Sequence, residues 1–135
     1  MPGRIFLAGL ISGVCGIFTS WLITGTIFHP FQARTPQTWR ASEGAAQYAA
    51  SSGLTVLSAL GITILYAATG GLHGVAGPIT NGVCFGLLCW AALALPIVLS
   101  FALFVNIDKG VVTGLLFDWL AVSLLAGGVA GRLLG

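Results

Sequence analysis

Hydrophobic residues are concentrated in four long stretches of this chain, and most polar residues lie in the three segments that join them. A helix needs about 20 mostly apolar residues to cross a lipid bilayer, with 17 near the lower limit. The pattern therefore predicts an all-α, integral membrane four-helix bundle with short connections, forming one domain over residues 1–135. The helix of the second span has room to begin as early as Ser42. The predicted spans are about 5–28, 53–69, 79–105 and 111–134, and a longer interfacial loop covers 29–52.

The four spans place the connections on alternate sides of the membrane. We call side A the one with the two chain ends and the second connection, and side B the one with the first and third connections. Because the second and third connections are short, the helices they join should be antiparallel neighbours. Lysine and arginine are nearly balanced between the sides, so the positive-inside rule gives no orientation. They are Arg4 and Arg132 on side A, and Arg34, Arg40 and Lys109 on side B.

Composition supports the membrane assignment and narrows the possible functions. The chain is 57% hydrophobic and only 6% charged, whereas a soluble domain is roughly a quarter charged, so the lipid bilayer is the expected surrounding. The net charge of +2 is too small to predict a nucleic-acid partner. Cys15, Cys84 and Cys89 lie inside apolar runs and are interpreted as small buried hydrophobes. The sequence shows no nucleophile–base pair, phosphate loop or metal-ligand cluster, so we predict no enzyme, no cofactor and no metal site.

Small residues recur at helical spacing on three of the spans. Helices in a bilayer associate mainly by close packing of such residues, because lipid tails are as apolar as leucine. We expect these stripes to face other helices of the bundle, with contact to a second copy or to another subunit as the open alternative. The residues predicted to pack are Gly9, Gly13, Gly16, Gly82, Gly86, Gly114 and Gly128.

Asp118 is a carboxyl group set well inside the fourth apolar span. If the hydrocarbon region begins near Val112, Asp118 lies about 9 Å inside it at 1.5 Å per residue, too deep for a short side chain to reach water. It shares its helix face with Gly114 and Ala121, so it should point into the bundle. Counting inward from side B on the other spans reaches hydroxyl groups at a similar depth. The predicted polar intramembrane layer is Asp118, Ser58, Thr55, Ser100 and Thr24.

The role of this layer is left open by the sequence. Burial disfavours the charged form of a carboxyl group without a cationic partner, so we expect Asp118 to be largely protonated and to donate a hydrogen bond. One interpretation is a polar clasp that fixes helix register, and a second is a proton-carrying or substrate-binding group. A third is that the fourth span is displaced, which would put Asp118 at headgroup level.

The first connection is the only sizeable segment outside the predicted spans. Its two prolines exclude one continuous helix, and its mixture of aromatic and arginine side chains suits the headgroup zone. The interfacial residues singled out are His29, Trp39 and Arg40. His29 on side B and His73 on side A are a bilayer apart, so they cannot share a metal or haem. Whether either one ligates a pigment alone is open.

Several short motifs resemble a family of small four-span bacterial membrane proteins, a domain of unknown function. They are "FHPF" at the end of span one, "WRASEG" before span two, "GLLCWAALALP" and "ALFVN" in span three, and "LLFDWLAVSLLAGGVAG" in span four. The resemblance covers most of the chain, from Ile5 to Gly131. It implies a four-helix protein of the bacterial inner, or cytoplasmic, membrane and supplies no activity or catalytic residue.

Two functions follow as hypotheses. The first is a non-catalytic accessory or scaffold subunit of a membrane complex, partnered by other membrane subunits or by itself; it is indicated by the small-residue stripes and the short connections. The alternative is a proton-coupled small-molecule transporter or channel that works as a homo-oligomer, with Asp118 as the titrating group. A membrane enzyme or pigment carrier has the least support.

Overall fold

The computed structural model describes residues 1–40, 44–72 and 76–135, and these residues are mostly helical. Four helices are long and apolar enough to cross a membrane, which indicates a multi-pass membrane protein and confirms the predicted all-α class. Two short 3-10 turns, His29–Arg34 and Pro36–Thr38, lie in the first connection. We label the long helices α1 (Pro2–Ile27), α2 (Ala45–Thr69), α3 (Pro78–Phe104) and α4 (Lys109–Leu134).

Helix α2 begins at Ala45, well before the start of the apolar stretch near Gly53. Its first two turns, "AAQYAASS", are rich in alanine, which favours a helix without making the segment hydrophobic. The Gln47 side chain accepts a hydrogen bond from the Gly44 backbone N–H (3.0 Å), which stabilises the helix start. The loop predicted over residues 29–52 is therefore shorter in the structure.

Two of the helices contain a wider π turn in the half that faces side B. In α1 the π turn spans Trp21–Ile27, and in α3 it spans Trp90–Ala94, directly before Pro96. Proline has no backbone N–H and its ring crowds the preceding turn, so a local π turn is a usual way to accommodate it. In α3 the N–H of Leu95 bonds to the carbonyl of Trp90, five residues earlier.

Helix α4 is the centre of the fold. It packs along α3 and α1 most extensively and also against α2, whereas α2 and α3 touch each other very little. Helix α2 packs mainly against α1. The second half of α3, Leu95–Phe104, makes few contacts with α4 and contains no buried residue.

The side A half of the protein is held together by glycine contacts. A methyl group added to Gly82 or Gly86 would overlap a backbone carbonyl of α4, and one added to Gly9 or Gly13 would press on Leu60 or Val56 of α2. The helices therefore approach to backbone contact there, as small residues allow. Two more predicted packing glycines make looser contacts: a methyl on Gly128 would lie 3.3 Å from Val83, and one on Gly16 would lie 3.0 Å from Thr55. Gly114 lies against Phe28 near side B, where a methyl would meet its Cβ at 2.6 Å.

Candidate functional site

The half of the protein that faces side B encloses a cavity of about 490 Å³, which we call the Asp118 cavity. All four helices and the first connection contribute to its wall. Asp118 lies nine residues after Lys109, so it is about 14 Å along α4 from the side B end of the helix. The polar side chains of the wall, besides Asp118, are Ser20, Thr24, Gln32, Thr38, Ser51, Thr55 and the indole N–H of Trp39.

A second cavity of about 530 Å³ lies between α1 and α2 and shares part of this wall. We call it the outer cleft. It adds His29 and Tyr48 at the side B end, and it meets the Asp118 cavity at five polar or hydroxyl residues. The shared residues are Ser20, Thr24, Gln32, Ser51 and Thr55. Polar side chains therefore line the α1–α2 boundary from the side B end of the outer cleft to the wall of the Asp118 cavity, and we call this line of side chains the polar route.

The first connection forms the side B floor of the Asp118 cavity and is fixed to the third connection. The Thr38 hydroxyl donates a hydrogen bond to the carbonyl of Asn106 (2.6 Å), and Arg34 forms an ion pair with Asp108 (3.6 Å). Asp108 also caps α4 by accepting a hydrogen bond from the N–H of Gly110 (2.8 Å). This arrangement holds the neighbouring Trp39 half-buried against the cavity.

Several buried polar atoms of the cavity lack a partner. Among the residues that the structure describes, four buried side-chain nitrogen or oxygen atoms make no hydrogen bond, and three of them belong to residues that line the Asp118 cavity. These three are Asp118 Oδ1, Ser20 Oγ and Trp39 Nε1. Ser20 lies beside the Asp118 carboxyl but outside hydrogen-bond geometry. An unpaired buried polar group costs roughly 1–3 kcal/mol, so three around one cavity make its wall the least satisfied part of the described structure.

The charge of Asp118 has no counter-ion within the described wall of its cavity. None of the described wall residues is a lysine, arginine or histidine. His29 enters only at the outer cleft, and Arg34 is paired with Asp108 at the floor. Any positive charge that neutralises the carboxyl must therefore come from a proton or from a bound molecule.

Tight packing closes the Asp118 cavity toward side A. Gly16 meets Thr55 and Val122 just beyond Asp118, and Val122 is 1% exposed. Farther toward side A, the Ser12 and Thr63 hydroxyls are fully buried and donate to carbonyls of their own helices, each at 2.8 Å. The polar route from side B thus ends at Asp118.

The structure brings only part of the predicted polar layer to this cavity. Thr24 and Thr55 line it with Asp118, and their hydroxyls donate to the carbonyls of Ser20 and Ser51. Ser58 lines a separate cavity between α2 and α3, and Ser100 is exposed on the outer surface of α3. The π turn before Pro96 explains the position of Ser100, because one extra residue rotates the following helix face by about 100°.

The residues of the first connection have different surroundings. Trp39 lines the Asp118 cavity, His29 is exposed beside the outer cleft, and Arg40 is exposed. His73 lies outside the described residues. Across residues 1–40, 44–72 and 76–135, no three His, Cys, Asp or Glu side chains come together as a metal site would require.

The sequence interpretation missed Ser20, Gln32 and Trp119 as wall residues. Ser20 continues the helical spacing of Gly9, Gly13 and Gly16 on α1, a pattern that indicates helix packing and not a cavity wall, while Gln32 and Trp119 carry no signal of their own. The comparison with known proteins gives no further guidance, since no family model, no curated protein and no solved structure matches this chain.

Proposed function

We propose that this protein is a proton-coupled small-molecule transporter or channel that works as a homo-oligomer in the bacterial inner membrane, with Asp118 as the group that carries the proton. The observation that supports it is the unpartnered Asp118 carboxyl oxygen, buried at the closed end of a polar route. Intramembrane carboxyl groups that face a cavity commonly serve proton relays or substrate binding.

The alternative role of Asp118, a clasp that fixes helix register, fits the geometry less well. A clasp stabilises a bundle through the hydrogen bond that it makes. The nearest candidate partner, the Ser20 hydroxyl of α1, lies beside the carboxyl group, but neither Ser20 Oγ nor Asp118 Oδ1 meets hydrogen-bond geometry. The helices are already fixed on the other side by glycine contacts at Gly82 and Gly86. Asp118 is therefore better suited to exchange a proton or a ligand than to hold helices together.

Transport requires that Asp118 reach both sides of the membrane in turn. In the structure the Asp118 cavity lies toward side B, and the contact between Gly16 and Val122 lies between it and side A. Alternating access would open this contact while closing the α1–α2 boundary. The segment Leu95–Phe104, which contains no buried residue, offers a surface on which a second copy would complete the cavity wall.

Proton movement tests this function directly. The purified protein would be reconstituted into vesicles that contain a pH-sensitive dye, and a potassium diffusion potential would be imposed. We expect proton influx with the native protein, its loss in Asp118→Asn, and full retention in Thr113→Ala, which removes an exposed hydroxyl of α4 outside the cavity. Equal influx in the native protein and Asp118→Asn, with both folded, would overturn the proposal.

A second candidate function is an accessory or scaffold subunit of a membrane complex. It is favoured by the same exposed segment Leu95–Phe104, which another subunit could cover in place of a second copy. Gentle purification from the native membrane separates the two functions. A foreign subunit in stoichiometric amount supports the accessory role, whereas a pure homo-oligomer supports transport.

A further inference from the structure

We propose that the Asp118 cavity binds a small organic ammonium ion that has an apolar body and a hydrogen-bond acceptor, and that this ion competes with the proton for Asp118. This inference rests on the proposed transport function and names its substrate class. Its basis is the group of polar atoms in the cavity wall that have no hydrogen-bond partner.

The three unpartnered atoms define the polar ends of the ligand. Asp118 Oδ1 accepts hydrogen bonds and, when ionised, requires a positive charge, and the Ser20 hydroxyl beside it can accept a further N–H. The indole N–H of Trp39 can only donate, so it requires an acceptor on the ligand. These atoms have almost no accessible surface in the structure, so small side-chain rotations must turn them toward the cavity. An ammonium group at Asp118 and an oxygen at Trp39 would then satisfy all three.

The rest of the wall defines the body of the ligand. Phe28, Trp39, Phe101 and Trp119 line the cavity together with aliphatic side chains. Aromatic faces attract an organic cation and pack against an apolar body. A volume of about 490 Å³ is also in the range of small-molecule sites. A bare metal cation suits this wall poorly, because Ca²⁺ and Mg²⁺ take six or more oxygen ligands and Asp118 is the only carboxylate in the described wall.

The ammonium ion and the proton compete for the same carboxyl group. Binding of the cation to the protonated site releases one proton from Asp118, and protonation releases the cation. The charged or titratable groups nearest to this exchange are few among the described residues. They are His29 and Tyr48 at the outer cleft, Arg40 next to Trp39 of the wall, and Arg34, Asp108 and Lys109 at the side B end of α4.

Calorimetric titration of the purified native protein with para-methoxybenzylamine tests the proposal, with two matched compounds as controls. para-Methoxybenzyl alcohol lacks the charge, and para-ethylbenzylamine lacks the ether oxygen. We expect the amine to bind with release of one proton, and its apparent affinity to rise up to tenfold per pH unit while Asp118 is protonated. The alcohol should bind at least about tenfold more weakly, as expected for loss of a charge-assisted hydrogen bond.

Substitutions at Asp118 and Trp39 test which residue contacts each end of the ligand. Asp118→Asn should weaken amine binding at least about tenfold and abolish proton release, whereas Thr113→Ala, at an exposed position outside the cavity, should change neither. Trp39→Phe should weaken para-methoxybenzylamine about fivefold and leave para-ethylbenzylamine unchanged, because only the former has an acceptor for the indole N–H. Asp118→Glu keeps the carboxyl group and should retain proton release, which guards against a folding defect in Asp118→Asn.

The outcomes distinguish this proposal from the transport function. Equal binding of the amine and the alcohol, or unchanged amine binding in Asp118→Asn, overturns the ammonium site. If the ammonium site is overturned but proton influx still depends on Asp118, the transport function stands without the ammonium site. Amine binding that depends on Asp118, combined with proton influx that does not, supports the site and overturns the transport function.

Discussion

The half of the protein toward side A and the half toward side B are built from the same four helices, but they differ in whether their buried polar atoms have hydrogen-bond partners. Toward side A, glycines bring the helices to backbone contact, and the buried Ser12 and Thr63 hydroxyls are satisfied within their own helices. Toward side B, the π turns and the separated end of α3 leave a cavity whose buried polar atoms lack partners. The contacts toward side A are therefore the expected source of stability, and the cavity toward side B holds the proposed site.

The largest expected effect comes from breaking the close packing toward side A. Gly82→Ala places a methyl group against the Gly127 carbonyl, so the backbones of α3 and α4 must separate. Overpacking of this kind costs about 1–3 kcal/mol, and we expect a loss near the upper end because backbone cannot rotate away. Unfolding by titration with SDS in mixed micelles measures it.

Gly61→Ala is the matched control for this substitution. A methyl group at Gly61 meets nothing within 4 Å, so the helix should gain about 0.5–1 kcal/mol from the better helix propensity of alanine. The two substitutions should therefore have opposite signs. If Gly82→Ala unfolds no more easily than Gly61→Ala, the close packing toward side A is not the main source of stability.

A smaller effect is expected where the two halves meet. The indole N–H of Trp90 donates to the Leu116 carbonyl (3.0 Å), which ties the π turn of α3 to α4. Trp90→Phe should lower the free energy of unfolding by about 1 kcal/mol. Trp21→Phe, at a side chain that is 66% exposed, should change it by less than about 0.5 kcal/mol. Equal effects at the two positions would argue against a role for this bond.

The two halves also differ in how far the sequence predicts them. The glycine stripes of α1, α3 and α4 depend on spacing along one helix, so spacing alone shows that Gly82 and Gly86 share a face. Depth counting likewise brings Asp118, Thr24 and Thr55 to one level. What spacing cannot show is a change of helical period, and the π turn at Trp90–Ala94 moves Ser100 out of the predicted layer. The contribution of Trp39 depends on the path of a loop, which no periodic pattern encodes.

The ion pair between Arg34 and Asp108 should contribute little to the floor of the cavity. The Arg34 side chain is 65% exposed, and exposed pairs contribute about 0–1 kcal/mol and are screened by salt. We expect Arg34→Gln to cost about 0.3 kcal/mol at low salt and nothing measurable near 1 M salt. Asp108→Ala also removes the cap of α4 and should cost about 1 kcal/mol at either salt concentration. A salt-independent loss of that size in Arg34→Gln would show a structural role for the arginine beyond its charge.

The expected change in stability at Asp118 is also small, and its small size is what distinguishes a site from a clasp. Removing a hydrogen-bonded group from a buried pair costs about 1–3 kcal/mol, because its partner is left unsatisfied. Asp118 Oδ1 has no such partner among the described residues, so Asp118→Asn should change the free energy of unfolding by less than about 0.5 kcal/mol. The same SDS titration used for Gly82→Ala measures it, with helical content as a check on folding. A loss above about 1 kcal/mol would mean that the carboxyl group holds the bundle together after all. A near-zero change, combined with loss of proton influx, would mean that the side B half keeps an unpaired carboxyl group for exchange, while stability depends on the glycine contacts toward side A.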